Sequence, residues 1–259
     1  MERLDKILAS QGVGTRSEAR KMIWAGRVTV DGEICRSIDR RLEPSEHEIV
    51  ANGVPLCYKK YLYIMMNKPE GAVSASNDSH VQTVVDLLPL SLRRKGLFPV
   101  GRLDKDTTGL LIITDDGAFA HAVTSPGKKV FKTYRATLDG ALTEENIQYL
   151  SEGALIDGGE QCLPAQVAVL DGENFIYEIK IREGKYHQIK RMAQSVGRRV
   201  VALERTAVGA LTLDATLGRG EARELTEQER LLPLTNCTCL RRGVVTVPDY
   251  FCFWIQRDY

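Results

Sequence analysis

Arg102 and Asp104 stand two residues apart in the decapeptide GRLDKDTTGL, residues 101–110, between an apolar run (Leu97, Phe98, Val100) and a second one (Leu110, Leu111, Ile112, Ile113). The pattern predicts a charged loop held between two buried strands. Gly101 and Gly109 bracket the loop and permit backbone angles that side-chained residues resist, while Thr107 and Thr108 can hydrogen-bond the loop's own amides. Such a loop presents a carboxylate, which can serve as nucleophile or base. On pattern alone a solvated hairpin turn is the competing interpretation, because Asp, Lys and Gly are ordinary turn residues.

A second chemical cluster is EGKYHQIKRM, residues 183–192, leading into a helix that runs to about Val196 and stops at Gly197. Helical spacing places Ile189, Met192, Ala193 and Val196 on one face and His187, Lys190, Arg191 and Gln194 on the other. One face packs and the other meets a ligand. Lys180, Arg182, Lys185, Arg198 and Arg199 flank the helix and broaden a cationic surface suited to a polyanion. Its alternative is an exposed basic helix face. A third cluster, Lys132-Thr133-Tyr134, opens a strand. An isolated strand tyrosine is ordinarily a core residue.

The elements that must position these clusters read as an antiparallel α+β domain from Tyr61 to about Leu232, with strands at Lys132–Leu138, Ala165–Leu170, Phe175–Ile181 and Val200–Arg205. No GxGxxG or Walker-type loop occurs, and Gly127-Lys128-Lys129 precedes a strand rather than a helix, so a nucleoside triphosphate site has little support. Ahead of this domain lies a smaller unit, residues 1–56. Leu4, Ile7 and Leu8 recur at helical spacing, a second helix starts near Ser17 and ends at Gly26, and Val28–Val30 and Glu33–Cys35 form a hairpin around Asp31-Gly32. Residues 51–60, with Gly53, Pro55 and Lys59-Lys60, read as a linker.

With 35 Lys and Arg against 34 Asp and Glu, net charge is near zero, so any nucleic-acid partner must be met by local charge. Arg16, Arg20, Lys21 and Arg27 stand against the single acid Glu18 along the second helix and the turn after it. Phosphate contact and a solvated helix face are equally open from charge alone. Six cysteines (Cys35, Cys57, Cys162, Cys237, Cys239, Cys252) show no repeated CxxC pairing, which argues against structural zinc or a disulfide framework. No metal or organic cofactor is called for. No apolar run approaches the roughly 20 residues that span a bilayer, so a cytoplasmic protein with no membrane partner is expected.

Three resemblances sharpen these expectations. The run RLDKILASQGVGTRSEARKMIWAGRVTVDGE closely resembles the S4 RNA-binding domain, which implies structured RNA as partner and phosphate contact for Arg16, Arg20, Lys21 and Arg27. GRLDKDTTGL resembles the catalytic motif of pseudouridine synthases; the resemblance implies that Asp104 is the indispensable catalytic residue and that Arg102 attends the flipped nucleotide. YLYIMMNKPEG is similar to the opening strand and Asn-Lys-Pro turn of the same domain, which places Lys68 near the cleft as an RNA contact, with a purely local structural role equally open. By the same resemblance Tyr134 stacks on the target uracil and Lys190 sits beside Asp104, with Arg191 as alternate. Many relatives carry arginine where this chain has Lys190; an ammonium can pair with the carboxylate but forfeits bidentate geometry.

The reaction implied is isomerisation of uridine to pseudouridine. The N1–C1′ bond breaks, the base turns, and C5 joins C1′. Asp104 either attacks C1′ or removes a sugar proton, and C1′ is reached by flipping the nucleotide outward at a cost of a few kcal/mol. The order of motifs resembles the RsuA-type branch, and Tyr-His-Gln at 186–188 favours the small-subunit type over large-subunit relatives with Asn-Arg-Gln or Asn-Arg-Glu. A monomer acting on 16S rRNA or a small-subunit assembly intermediate is therefore expected. The alternatives are a 23S rRNA enzyme of the same branch and a non-catalytic RNA-binding or assembly protein. Residues 233–259 have no family counterpart, are assigned no role, and are expected to be removable after Pro233 without loss of activity.

Overall fold

The computed structural model describes residues 1–235; the tail with Cys237, Cys239, Cys252, Phe251, Phe253 and Trp254 lies outside them. In the first unit, β1 (Glu2–Arg3) leads into α1 (Leu4–Ser10), and α2 (Arg16–Trp24) packs against it. Thr15 caps α2: its side chain accepts from Glu18 N at 3.3 Å, and the Glu18 carboxylate accepts from Thr15 N at 2.7 Å. Leu4, Ile7 and Leu8 of α1 meet Ala19, Met22 and Ile23 of α2 in one core, as the 3.6-residue spacing requires. β2 (Val28–Val30), β3 (Glu33–Ile34), β4 (Arg41–Leu42), β5 (Ile49–Ala51) and β6 (Val54–Pro55) complete the unit; β4 pairs with β1, and the others form a sheet in the order β3-β2-β5-β6.

Asp31-Gly32 and Asn52-Gly53 each hold two successive positive φ angles, the signature of the tight hairpin turn that matches strand twist. The second of these corrects the expected linker. Residues 51–55 belong to the β5–β6 hairpin, and the connecting segment begins after Pro55.

The second unit is built on a sheet of nine strands. β7 (Tyr63–Lys68), β8 (Phe98–Pro99) and β9 (Thr108–Thr114) come first, followed by α3 (Gly117–Thr124), β10 (Lys132–Leu138) and α4 (Glu144–Gly153). The short pair β11 (Leu155–Ile156) and β12 (Glu160–Gln161) leads to β13 (Gln166–Asp171), β14 (Ile176–Ile181), α5 (Gln188–Ser195), β15 (Val200–Val208), β16 (Leu211–Thr212), β17 (Ala222–Glu224) and α6 (Glu227–Leu231). The order is β13-β14-β10-β15-β9-β7-β17, with β16 on β15 and β8 on β9. Every pairing is antiparallel except β15 with β9, so the sheet is mixed and mainly antiparallel. Among the described residues no helix is long and apolar enough to cross a membrane.

That one parallel junction divides the core. On the β10–β14 side, α4 and α5 cover Ala136, Leu138, Tyr177 and Ile179. On the β7–β9 side both faces are covered: Tyr63 and Met65 pack with Leu110, Ile112 and Phe119, while Ile64 and Met66 pack with Leu111, Ile113 and Leu103. All six residues of β7 are consequently buried, which is why residues 63–66 read as an apolar run without alternation before the buried polar Asn67 and Lys68. Gly109 makes the junction possible, because a Cβ there would lie 2.3 Å from the Arg205 carbonyl oxygen. Tyr134 packs against the clusters of both halves and therefore stands at the seam. Leu232 and Leu234, just past α6, pack into the β7–β9 core, so ordered packing continues beyond Leu232.

Candidate active site

Asp104 sits in the loop between β8 and β9, which are hydrogen-bonded to each other as the flanking apolar runs predict. Gly101 and Gly109 both take positive φ, at 77° and 99°. The loop is held from outside rather than by its own threonines. Thr108 Oγ1 donates to Leu203 O at 3.3 Å, and Thr107 Oγ1 is buried without a partner. Ser74 Oγ instead donates to Leu103 O and accepts from Leu103 N, at 2.9 and 3.0 Å.

Lys68 supplies the principal clamp. Its side chain is wholly buried, and Nζ donates to the carbonyls of Asp104 at 3.0 Å, Thr107 at 2.9 Å, Pro69 at 3.1 Å and Lys105 at 3.3 Å. Burial pushes its pKa down to about 8, against the pull of the Asp106 and Asp104 charges. An RNA-contacting role for Lys68 is thereby corrected: a fully enclosed ammonium whose donors are spent on four carbonyls reaches no phosphate. It shapes the loop that carries Asp104.

From α5, Lys190 Nζ lies 3.1 Å from Asp104 Oδ2 and 2.6 Å from Asp106 Oδ1. Burial opposes its charge, but hydrogen bonds to Asp106 and Asp104 prevail and raise its pKa; the same contact lowers that of Asp106. Arg191, the alternate, turns the other way. It pairs with Asp157 and with Glu160 at 2.9 Å, and it donates to Tyr186 O and Asp157 O. With its donors so occupied and its side chain 17% exposed, Arg191 braces the β11–β12 turn instead of facing RNA.

His187 was expected on the polar face of the helix. It lies just outside, as the N-cap of α5, with φ 50° and ψ 33°. This left-handed turn brings its Nε2 to 3.6 Å from Asp104 Oδ1 and stacks its ring on Tyr186, centroids 3.8 Å apart. No periodicity signals such a turn. Gln188, next in sequence, is buried and ties the turn down through Lys185 N and the Glu183 carboxylate.

These groups surround a cavity of about 620 Å³ whose lining includes Arg102, Asp104, Lys132, Tyr134, Tyr186, His187 and Arg205. Lys190 borders a smaller adjoining hollow shared with Asp104 and Tyr134. An exposed arginine, a carboxylate beside an ammonium, and an aromatic wall can admit one nucleotide, hold its base and work on its sugar.

Comparison with known proteins decides the family. Residues 62–195 match the model described as RNA pseudouridylate synthase, and residues 2–47 match the S4 domain. The chain belongs to the RNA pseudouridylate synthases. It is 44% identical over 229 residues to an uncharacterized RNA pseudouridine synthase of Bacillus subtilis strain 168, covering 88% of this chain and 96% of that one. It is 40% identical over 229 residues to the ribosomal small subunit pseudouridine synthase A of Escherichia coli K12, covering 88% and 97%. A solved structure titled as a pseudouridylate synthase superposes with a TM-score of 0.62 at 36% identity, covering 90% of this chain and all of that one.

In this synthase the S4 unit arranges its cations unevenly. Asp5 of α1 is wholly buried and receives Arg20 Nε at 2.8 Å, Arg16 Nε at 3.0 Å and Arg3 Nε at 3.0 Å. Burial drives the Asp5 pKa up, yet hydrogen bonds from Arg20, Arg3 and Arg16 outweigh it and leave the carboxyl far below its usual range. Arg16 and Arg20 thus stay about half exposed while pinned at the base, and Lys21 and Arg27 are exposed. The residues that sequence reasoning passed over are Asp106 and Arg205, and Lys132, though noted beside Tyr134, was given no role. Asp106 follows Asp104 by two and carries the same type of charge, which is the signal that could have found it.

Proposed function

We propose that this synthase isomerises one uridine of 16S rRNA, on the RNA or a small-subunit assembly intermediate, acting as a monomer in the cytoplasm. The observation that carries the proposal is the Asp104–Lys190 pair at 3.1 Å beside Tyr134, with Asp104 and Tyr134 lining a cavity that can take a single nucleotide. The relation to a ribosomal small subunit pseudouridine synthase and the Tyr-His-Gln at 186–188 support the choice of RNA.

Each side chain then has a task. Arg16, Arg20, Lys21 and Arg27 of the S4 unit engage phosphates and align the RNA. Arg102, exposed at the cavity mouth, fills the gap left by the flipped nucleotide or holds the neighbouring phosphate. Tyr134 stacks on the uracil, a contact worth about 1–3 kcal/mol. Asp104, paired with Lys190, attacks C1′ or takes a sugar proton. His187 stands over the same carboxylate and steers the ribose, its ring backed by Tyr186.

Carbodiimide mapping of 16S and 23S transcripts, incubated with wild-type and Asp104→Asn protein, tests this. One stop in 16S RNA that depends on wild-type protein is expected. A stop only in 23S RNA would overturn the substrate, and none in either RNA or in assembly intermediates would overturn the function.

A further inference from the structure

Two cations at the pocket wall have no part in the chemistry assigned so far. Arg205 on β15 is 4% exposed, and its Nε donates to Leu110 O at 2.8 Å. Lys132 on β10 is half-buried. A register shift between Thr133 and Tyr134 sets Tyr134 directly across from Arg205, and Lys132, two residues before Tyr134, shares its face of the strand. The three side chains therefore line one wall of the cavity that Asp104 also lines.

Neither cation forms an ion pair among the described residues. Glu183, the acid whose charge reaches Lys132, has its carboxylate engaged by Leu163 N at 2.8 Å and Gln188 Nε2 at 2.7 Å. Burial, and then the charge of Arg205, hold the Lys132 pKa below its ordinary value. Buried charge without a counter-charge is unfavourable in the resting protein. Fixed positive charge in a water-poor pocket is worth most where negative charge develops during reaction.

We infer that Arg205 and Lys132 hold the uracil as the anion it becomes on leaving the sugar, and so are further catalytic residues of this synthase. The inference rests on the proposed placement of the base against Tyr134. It is independent of which route Asp104 takes. If Asp104 attacks, an O–C1′ bond forms as N1–C1′ breaks; if Asp104 accepts the C2′ proton, a C1′=C2′ bond forms as N1–C1′ breaks. In both routes the N1–C1′ electron pair departs with the base, leaving a uracil monoanion with charge spread over N1, O2 and O4. After the base turns, C5 donates the pair that makes C5–C1′, which releases Asp104 or returns the proton to C2′. The C5 proton then leaves and N1 takes one up, with nothing oxidised or reduced. The nucleotide's phosphate stays with the chain at the cavity mouth, near Arg102, so the inner wall meets the base.

Single-turnover kinetics and RNA binding of Lys132→Met, Lys132→Arg and Arg205→Lys test the inference on the full chain, with thermal unfolding as the check on folding. Lys132→Met is expected to lower the rate of modification at saturating RNA by about 100-fold or more, to leave RNA affinity within about threefold, and to be largely rescued by Lys132→Arg. Arg205→Lys is expected to retain partial activity. A full rate in Lys132→Met, with Asp104→Asn inactive, would overturn the inference and leave the Asp104 assignment standing. Weakened RNA binding at an unchanged saturated rate would overturn it in favour of a phosphate contact. Absence of modification by the wild type would instead remove the proposed function itself.

Discussion

Lys190 shares one ammonium between two carboxylates, and the shorter contact goes to Asp106, not Asp104. Removing it takes from both acids the one ammonium they share as a hydrogen-bond donor. Lys190→Met is expected to lower the single-turnover rate by about 10²-fold or more with little change in RNA affinity, and Lys190→Arg to restore much of it, since a guanidinium offers paired donors. At this scale Asp104, Tyr134 and Lys190 were picked out by the resemblance of their motifs, since pattern alone left a turn, a core tyrosine and an exposed helix face open, and the three border one hollow. Lys68, for which a structural role stood equally open, and Arg191 were both offered as RNA contacts for a common reason: a cation in a motif looks like a ligand-binding group until its acceptors are known. Lys68 finds four carbonyls, three of them more than thirty residues away, and Arg191 two acids from the distant β11–β12 turn. Arg205 was invisible because its neighbour Tyr134 comes from another strand through a shifted register.

Elements position these residues through a few buried polar contacts. Lys68 at the end of β7 is the strongest example, and Lys68→Met is expected to speed amide exchange across residues 101–107 and depress activity while the β7–β9 ladder stays protected; unchanged exchange would show that the clamp is not Lys68. In the S4 unit, Asp5 ties α1 to α2. Its folded pKa lies below the unfolded value of about 3.9, so its contribution is fully present above that value and is lost as pH falls through the folded pKa. Acid titration followed by S4-unit fluorescence or exchange is expected to show weakening below about pH 4. Asp5→Asn is expected to abolish that dependence and destabilise by about 3 kcal/mol, the low end for a broken buried pair because the arginines are half exposed. The strand Lys132–Leu138 was readable to the residue even though two register shifts break its alternation. The 51–60 linker was misread because Gly53 and Pro55 signal punctuation equally in a linker and in a hairpin.

Across the whole molecule, the segment joining the two units is short and tethered. Gln11 exchanges hydrogen bonds with Lys59, donating to its carbonyl at 3.1 Å and accepting from its amide at 2.9 Å. Arg94 donates to Lys59 O at 2.8 Å and pairs with Asp115. Arg94→Ala is expected to expose residues 56–61 to limited proteolysis; an unchanged digestion pattern would contradict the tether. The C-terminal boundary also moves. A chain ending at Thr235 is expected to keep full activity, whereas one ending at Leu231 loses Leu232 and Leu234 from the core and about 2 kcal/mol of stability, read as a lower Tm. A cut after Pro233, the boundary expected from family endings, would remove one of those leucines.

In the proposed reaction this cavity breaks a uridine's N1–C1′ bond and remakes the linkage at C5 under the action of Asp104. Forming C5–C1′ expels the hydrogen on C5, so release of tritium from 16S rRNA transcribed with [5-³H]uridine reports the reaction itself. Wild-type protein is expected to release tritium equivalent to one uridine per RNA, and folded Asp104→Asn protein that still binds the RNA is expected to release none. Release by Asp104→Asn at the wild-type rate would contradict the claim.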